Sequence, residues 1–128
     1  MVIVITGPTG VGKTKLSIEL AKKMNGEIIN ADSTQIFKGL DIATAKVTNE
    51  EKENIIHNLI DIKEISEDYT VYDYQKDARK KIDEIIKKNK TPIIVGGTRL
   101  YIKAALYDYK FNEEKNKLTY DNIETNEL

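Results

Sequence analysis

Cysteine is absent from this 128-residue chain, which excludes disulfide frameworks and thiolate zinc sites within it. Histidine is nearly absent. With His57 standing alone, a histidine-rich metal site is excluded as well, and the simplest reading of that residue is a partly buried or strand-edge side chain. Long apolar runs are also missing: Val2-Ile3-Val4-Ile5 is too short for a signal core or a membrane span, and no longer one follows. A cytoplasmic protein without membrane contact is expected. The charge has no dominant sign, since 20 basic and 21 acidic residues leave a net charge of −1. That balance does not announce a nucleic-acid binder. Residues 108–128 carry six acids against three lysines, so residues 1–107 keep a small positive excess.

What is present begins with size and apolar content. The length suits one domain, and 40% hydrophobic residues are enough to bury a core. Gly7-Pro8-Thr9-Gly10-Val11-Gly12-Lys13-Thr14 fits the P-loop pattern G-x-x-x-x-G-K-[ST] at every fixed position. Its context agrees. A β-branched run precedes it, and Leu16, Leu20, Ala21 and Met24 follow at helical spacing. Glycines let backbone N–H groups close around an anion at a helix start, where the helix dipole favours negative charge. Lys13 adds a mobile cation, and the Thr14 hydroxyl is the type of oxygen that completes a Mg²⁺ shell shared with phosphates.

Further along, Asn25-Gly26 marks a helix stop, and Glu27 to Ala31 reads as a second strand with Asp32 at its end. Ser33 to Thr48 is expected to be a long structured loop with one helical turn, and long loops in compact domains are usually functional. Thr48 to Glu51 offers a cap and a brief helix, followed by an extended Asn58 to Ile62. A clearer helix follows Asp68 to Tyr74, with Tyr74, Ala78, Ile82, Ile85 and Ile86 as its apolar stripe and its lysines on a solvated face. Pro92 breaks the pattern ahead of the strand Ile93-Ile94-Val95. Gly96-Gly97-Thr98 then leads into a helix with Leu100, Tyr101, Ala104, Ala105 and Leu106. Strands alternating with helices predict an α/β fold, a P-loop NTPase-like parallel sheet flanked by helices. Residues 1–107 make the α/β core. Residues 108–128 read as an acidic, polar tail or the stump of something longer.

Ligands of open parallel sheets bind beyond the carboxyl ends of the strands. Three such ends carry polar residues here: Gly7 and the P-loop, Asp32-Ser33-Thr34-Gln35, and Gly96-Gly97-Thr98. With a diphosphate in the P-loop, Asp32 is placed to take a proton from an incoming nucleophile and Thr98 to orient it. Each residue has a plainer alternative, a turn former or magnesium-side carboxylate for Asp32 and a helix cap for Thr98.

The P-loop, the block from Asp32-Ser33-Thr34-Gln35 through Ile36-Phe37-Lys38-Gly39-Leu40-Asp41-Ile42-Ala43-Thr44-Ala45-Lys46, then Leu59-Ile60-Asp61-Ile62 and Val95-Gly96-Gly97-Thr98-Arg99-Leu100-Tyr101 together resemble the ordered motifs of tRNA dimethylallyltransferases, also called tRNA isopentenyltransferases. The resemblance runs from residue 2 to about residue 110. It implies transfer of a dimethylallyl group from dimethylallyl diphosphate to N6 of the tRNA adenosine next to the anticodon, with Mg²⁺. It further implies that Gly7, Pro8, Thr9, Gly10, Val11, Gly12, Lys13 and Thr14 hold the diphosphate, with Thr14 on the metal. Asp32 matches the family's general base, Ser33, Thr34 and Gln35 match the segment that meets the target base, and Thr98 matches the partner threonine. The departures are Ala43 where the family usually has Gly, Asn58 where His is frequent, and length. Family enzymes are considerably longer, so the expectation is their N-terminal core without the helical insertion and later basic segments. Two other readings compete: a small-molecule P-loop kinase, against which Arg79 and Arg99 are the only arginines, and a phosphate-binding module without turnover.

Overall fold

A computed structural model describes residues 1–7, 11–39, 49–106 and 123–127. Strand β1 spans Val2–Thr6, helix α1 Val11–Met24, β2 Gly26–Asn30, α2 Asn49–Lys52, β3 His57–Asn58, α3 Val71–Lys87, β4 Thr91–Gly96, α4 Arg99–Leu106 and β5 Ile123–Glu127. One five-stranded sheet has the order β3-β2-β4-β1-β5, and every pairing in it is parallel.

Consecutive strand side chains point to opposite faces, and the two cores divide accordingly. Ile3, Ile5, Ile28 and Ile93 pack with Ile18 and Ala21 of α1. Their neighbours Val4, Ile29 and Ile94 pack on the other face with Tyr74, Ala78 and Ile85 of α3 and Tyr101 and Ala105 of α4. The sheet is therefore covered on both sides, which explains why its central strands read as unbroken apolar runs. Each fully buried isoleucine contributes about 1.5–3 kcal/mol.

Local signals set the boundaries. A capping box starts α3: the Asp73 N–H donates to Thr70 Oγ1 at 3.2 Å and the Thr70 N–H donates to Asp73 Oδ2 at 2.9 Å. Asn89, at φ 60°, turns the chain after that helix. At the end of the sheet away from the glycine-rich loop, the buried Glu27 carboxylate meets Lys88, Lys90 and the Asn58 amide. Burial alone would raise its pKa, but the Lys88 and Asn58 hydrogen bonds and the charges of Lys88 and Lys90 outweigh that and hold it below the ordinary glutamate value.

Three expectations need correction. The extended run at Asn58–Ile62 pairs as a strand only at His57–Asn58, because Leu59 and Asp61 take φ of 67° and 56°. That turn carries the chain against the segment after β2, where the Asp61 N–H donates to the Gln35 carbonyl and the Ile62 N–H to that of Ile36. Ile86 and Leu100 are exposed rather than buried in the apolar stripes; Ile86 lies about 120° around α3 from Tyr74 at 100° per residue. Finally, residues 123–127 pair with β1 as an edge strand instead of belonging to a tail. Their polar sequence masks this, since ladder hydrogen bonds come from the backbone. Pro8 to Gly10, the block Leu40 to Thr48, and residues 107–122 lie outside the described residues. Among the described residues, no helix is long and apolar enough to cross a membrane.

Candidate active site

The carboxyl ends of β1, β2 and β4 meet at one rim of the sheet. Gly7 leaves β1 at φ 143°, a conformation that side chains disfavour, and its carbonyl accepts a 2.9 Å bond from Lys13 Nζ. Lys13 stands in the first turn of α1 with only 7% of its surface exposed. Loss of hydration lowers its pKa, and the negative charge of Asp32 pulls the other way. Lys13 and Asp32 thus sense each other across the ends of neighbouring elements. Gly12 has open space where a side chain would be.

Asp32 caps a short 3₁₀ turn, Ser33–Gln35, from an extended backbone. Its Oδ1 accepts from the Thr34 N–H at 3.0 Å and from the Thr34 hydroxyl at 2.7 Å. The preceding amide of that turn goes elsewhere: the Ser33 N–H donates to Thr98 Oγ1 at 2.9 Å, and the two hydroxyls lie 3.4 Å apart. Thr98 therefore serves the turn after β2 through its hydroxyl, while its carbonyl accepts from the Ile102 N–H of its own helix at 3.2 Å. Successive amides of one turn are held by the two residues expected to act together.

The close approach of β4 to β2 depends on Gly96. A Cβ there would stand 2.3 Å from both the carbonyl carbon and oxygen of Ala31, a separation no side chain tolerates. Two backbone bonds use that contact, Ala31 N–H to the Val95 carbonyl at 2.8 Å and Thr98 N–H to the Ala31 carbonyl at 3.0 Å. Gly97 is different. A Cβ on it would lie 3.4 Å from the Gly7 carbonyl and 3.9 Å from Lys13 Nζ, so this residue borders the ammonium directly.

Of the residues expected from sequence, Gly7, Lys13, Asp32, Ser33 and Thr98 gather at this rim. Thr34 turns its hydroxyl back onto Asp32, and Gln35 contributes its backbone to the contact with Asp61. Thr14 is half-buried, and its carbonyl accepts from the Ser17 hydroxyl. No group of three or more His, Asp or Glu residues able to hold a metal occurs among the described residues. A Mg²⁺ here would fit as an ion sharing oxygens with a bound diphosphate, because a hydroxyl and phosphates are the hard donors it takes.

Sequence reasoning missed Asn30 and the polar role of Tyr74. The Tyr74 hydroxyl donates to the Asn30 carbonyl at 2.7 Å, and its ring stacks on Tyr101 with centroids 4.1 Å apart. A polar side chain directly after the apolar pair Ile28-Ile29 of a buried strand, two residues before Asp32, was the available signal for Asn30.

A parallel α/β sheet whose polar residues collect beyond three strand ends, around a buried lysine at a helix start, defines an open-sheet α/β protein with its candidate site at the usual rim. The IPP transferase family model matches residues 35–127, and the chain belongs to that family. It is 59% identical over 114 residues to the tRNA dimethylallyltransferase of Bacillus pumilus, covering 89% of this chain and 36% of that protein. The crystal structure of the tRNA delta(2)-isopentenylpyrophosphate transferase of Staphylococcus epidermidis superposes with a TM-score of 0.81 at 54% identity, covering 89% of this chain and 37% of that one. A eukaryotic dimethylallyltransferase acting on tRNA superposes with a TM-score of 0.82 at 41% identity, over 92% of this chain and 30% of its own. The chain thus spans little more than a third of the length of the curated relatives it matches.

Proposed function

We propose that this chain carries the diphosphate-holding and proton-accepting part of a tRNA dimethylallyltransferase, which moves a dimethylallyl group onto N6 of the adenosine next to the anticodon. The observation that carries the reading is the meeting of buried Lys13, Asp32 and Thr98 at adjoining strand ends. Similarity to enzymes named for this reaction supports it. A cytoplasmic location follows from a tRNA substrate.

In the proposed reaction, N6 attacks the allylic carbon of dimethylallyl diphosphate as its bond to the diphosphate oxygen breaks. Diphosphate departs with the bonding electrons. Lys13, the amides of the glycine-rich loop and the N-terminus of α1 hold that growing charge, which is where a preorganised cation and helix dipole act most strongly. Mg²⁺, when bound, adds neutralisation of the diphosphate beside Thr14. The proton leaving N6 passes to Asp32. Among the described residues its hydrogen bonds fall on Oδ1, so Oδ2 is the oxygen offered to the amine. Thr98 keeps the turn in place through Ser33. The base is reached as an extruded nucleotide, because a stacked and paired adenine does not expose N6 for attack, and Ser33, Thr34 and Gln35 line its approach.

Ligand choice tests the reading. Dimethylallyl diphosphate with Mg²⁺ should raise the thermal midpoint well above the shift given by ATP with Mg²⁺ at equal concentration. A larger shift with ATP would instead indicate a phosphoryl transferase, and equal shifts a phosphate-binding module.

A further inference from the structure

Asn30 ends β2 and is only 4% exposed, and its side chain spends all of its described hydrogen bonds on main chain. Its Oδ1 accepts from the Asp32 N–H at 3.0 Å, while its Nδ2 donates to the Asp32 carbonyl at 2.9 Å and to the Leu59 carbonyl at 3.0 Å. One amide therefore grips both polar groups of the Asp32 backbone. The third bond ties that grip to the chain leaving β3, where Leu59 sits at φ 67°. Behind it, the Asn30 carbonyl is held by the Tyr74 hydroxyl of α3. An amide is the one neutral side-chain group that both donates twice and accepts. A carboxylate would face two carbonyl oxygens without a donor, and an apolar residue would leave one buried and two partly buried backbone groups without this partner.

Thr34 and Thr98 fix the turn that follows Asp32; Asn30 fixes the backbone from which the Asp32 side chain projects. We propose that Asn30 is a positioning residue for proton abstraction, holding the Asp32 carboxylate in register with the anion site by clamping its backbone to β3. The proposal rests on the role given to Asp32 above. Asn30 does not touch substrate, so its effect on rate runs through Asp32 alone.

A double-mutant cycle on the complete enzyme tests this, with single-turnover transfer to an anticodon stem-loop and pyrophosphate affinity as readouts. Asn30→Ala should slow transfer by about 10²-fold, the cost of misplacing a catalytic group by about 1 Å, and leave pyrophosphate affinity unchanged. In an Asp32→Asn background, the same substitution should cost less than about twofold, because the group it positions no longer acts. A merely structural asparagine would give the same loss in both backgrounds, which would overturn the proposal, as would a wild-type rate for Asn30→Ala. A near wild-type rate for Asp32→Asn alone would instead remove the base, and the proposal with it. Should Asn30→Ala not fold, Asn30→Ser, which retains a hydroxyl at the clamp, runs the same cycle with the same expectations.

Discussion

Two neighbouring glycines, Gly96 and Gly97, should separate stability from ligand binding when each is changed to alanine. At Gly96 the added methyl carbon would lie 2.3 Å from the Ala31 carbonyl atoms and 2.8 Å from its Cα, more than 1 Å inside ordinary contact, with backbone on the other side and no side chain to swing away. Relief requires the ends of β4 and β2 to part. That movement strains the Ala31–Val95 and Thr98–Ala31 backbone bonds, each worth about 1 kcal/mol, in addition to the roughly 1–3 kcal/mol of overpacking in a filled core. Gly96→Ala should therefore lose about 3–5 kcal/mol of unfolding free energy. Gly97→Ala meets its nearest atom at 3.4 Å and has no positive φ to strain it, so its stability should stay within about 0.5 kcal/mol of wild type, as for surface changes. Its methyl group, however, stands beside Lys13 Nζ, where a diphosphate would have to approach. Urea unfolding gives the stability of each variant, and calorimetric titration with Mg²⁺-pyrophosphate gives the binding. Equal stability losses in the two variants, or an unperturbed Gly96→Ala, would refute the packing argument; unchanged pyrophosphate binding in Gly97→Ala would refute its place at the anion site.

Lys13→Ala should retain the fold and abolish the thermal shift produced by pyrophosphate, because it removes the buried cation at the helix start; an undiminished shift in differential scanning fluorimetry would contradict its role. Glu27 has a folded-state pKa below its unfolded value, so its stabilising contribution is present above the ordinary glutamate pKa and disappears as the pH falls through the depressed one. Glu27→Gln should accordingly lower stability at pH 7 by about 1–2 kcal/mol and flatten the loss of stability between about pH 5 and pH 3; parallel pH profiles for wild type and variant would show that the Lys88 and Lys90 contacts contribute nothing.

The parallel pairing of the strands and the meeting of their polar ends were legible because unbroken apolar runs and glycine-rich turns are local features; the strand order was not, since β4 lies between β1 and β2 rather than these two being neighbours. Ile28-Ile29 and Ile93-Ile94 declare a strand covered on both faces, and Gly7, Asp32 and Thr98 each follow such a run. What stayed hidden depends on residues distant in sequence. The positive φ of Leu59 makes sense only with the Asn30 amide 29 positions away, and nothing near Ile123 hints that its polar segment pairs with β1. Thr98 and Asp32 are linked through the amides of one turn, a detail that spacing does not encode. Tyr74 looked like one more apolar stripe residue because its hydroxyl partner belongs to another element.

Asp32→Asn in the complete enzyme tests most directly whether Asp32 receives the proton of the attacking amine. An asparagine keeps an oxygen to accept the Thr34 bonds and so preserves the turn, while losing the charge and the basic oxygen. Single-turnover transfer of the dimethylallyl group to an anticodon stem-loop should slow by about 10²–10⁴-fold, the usual contribution of a general base, with dimethylallyl diphosphate affinity unchanged. Transfer at near wild-type rate by the asparagine variant would contradict the account and return Asp32 to the part of a turn former.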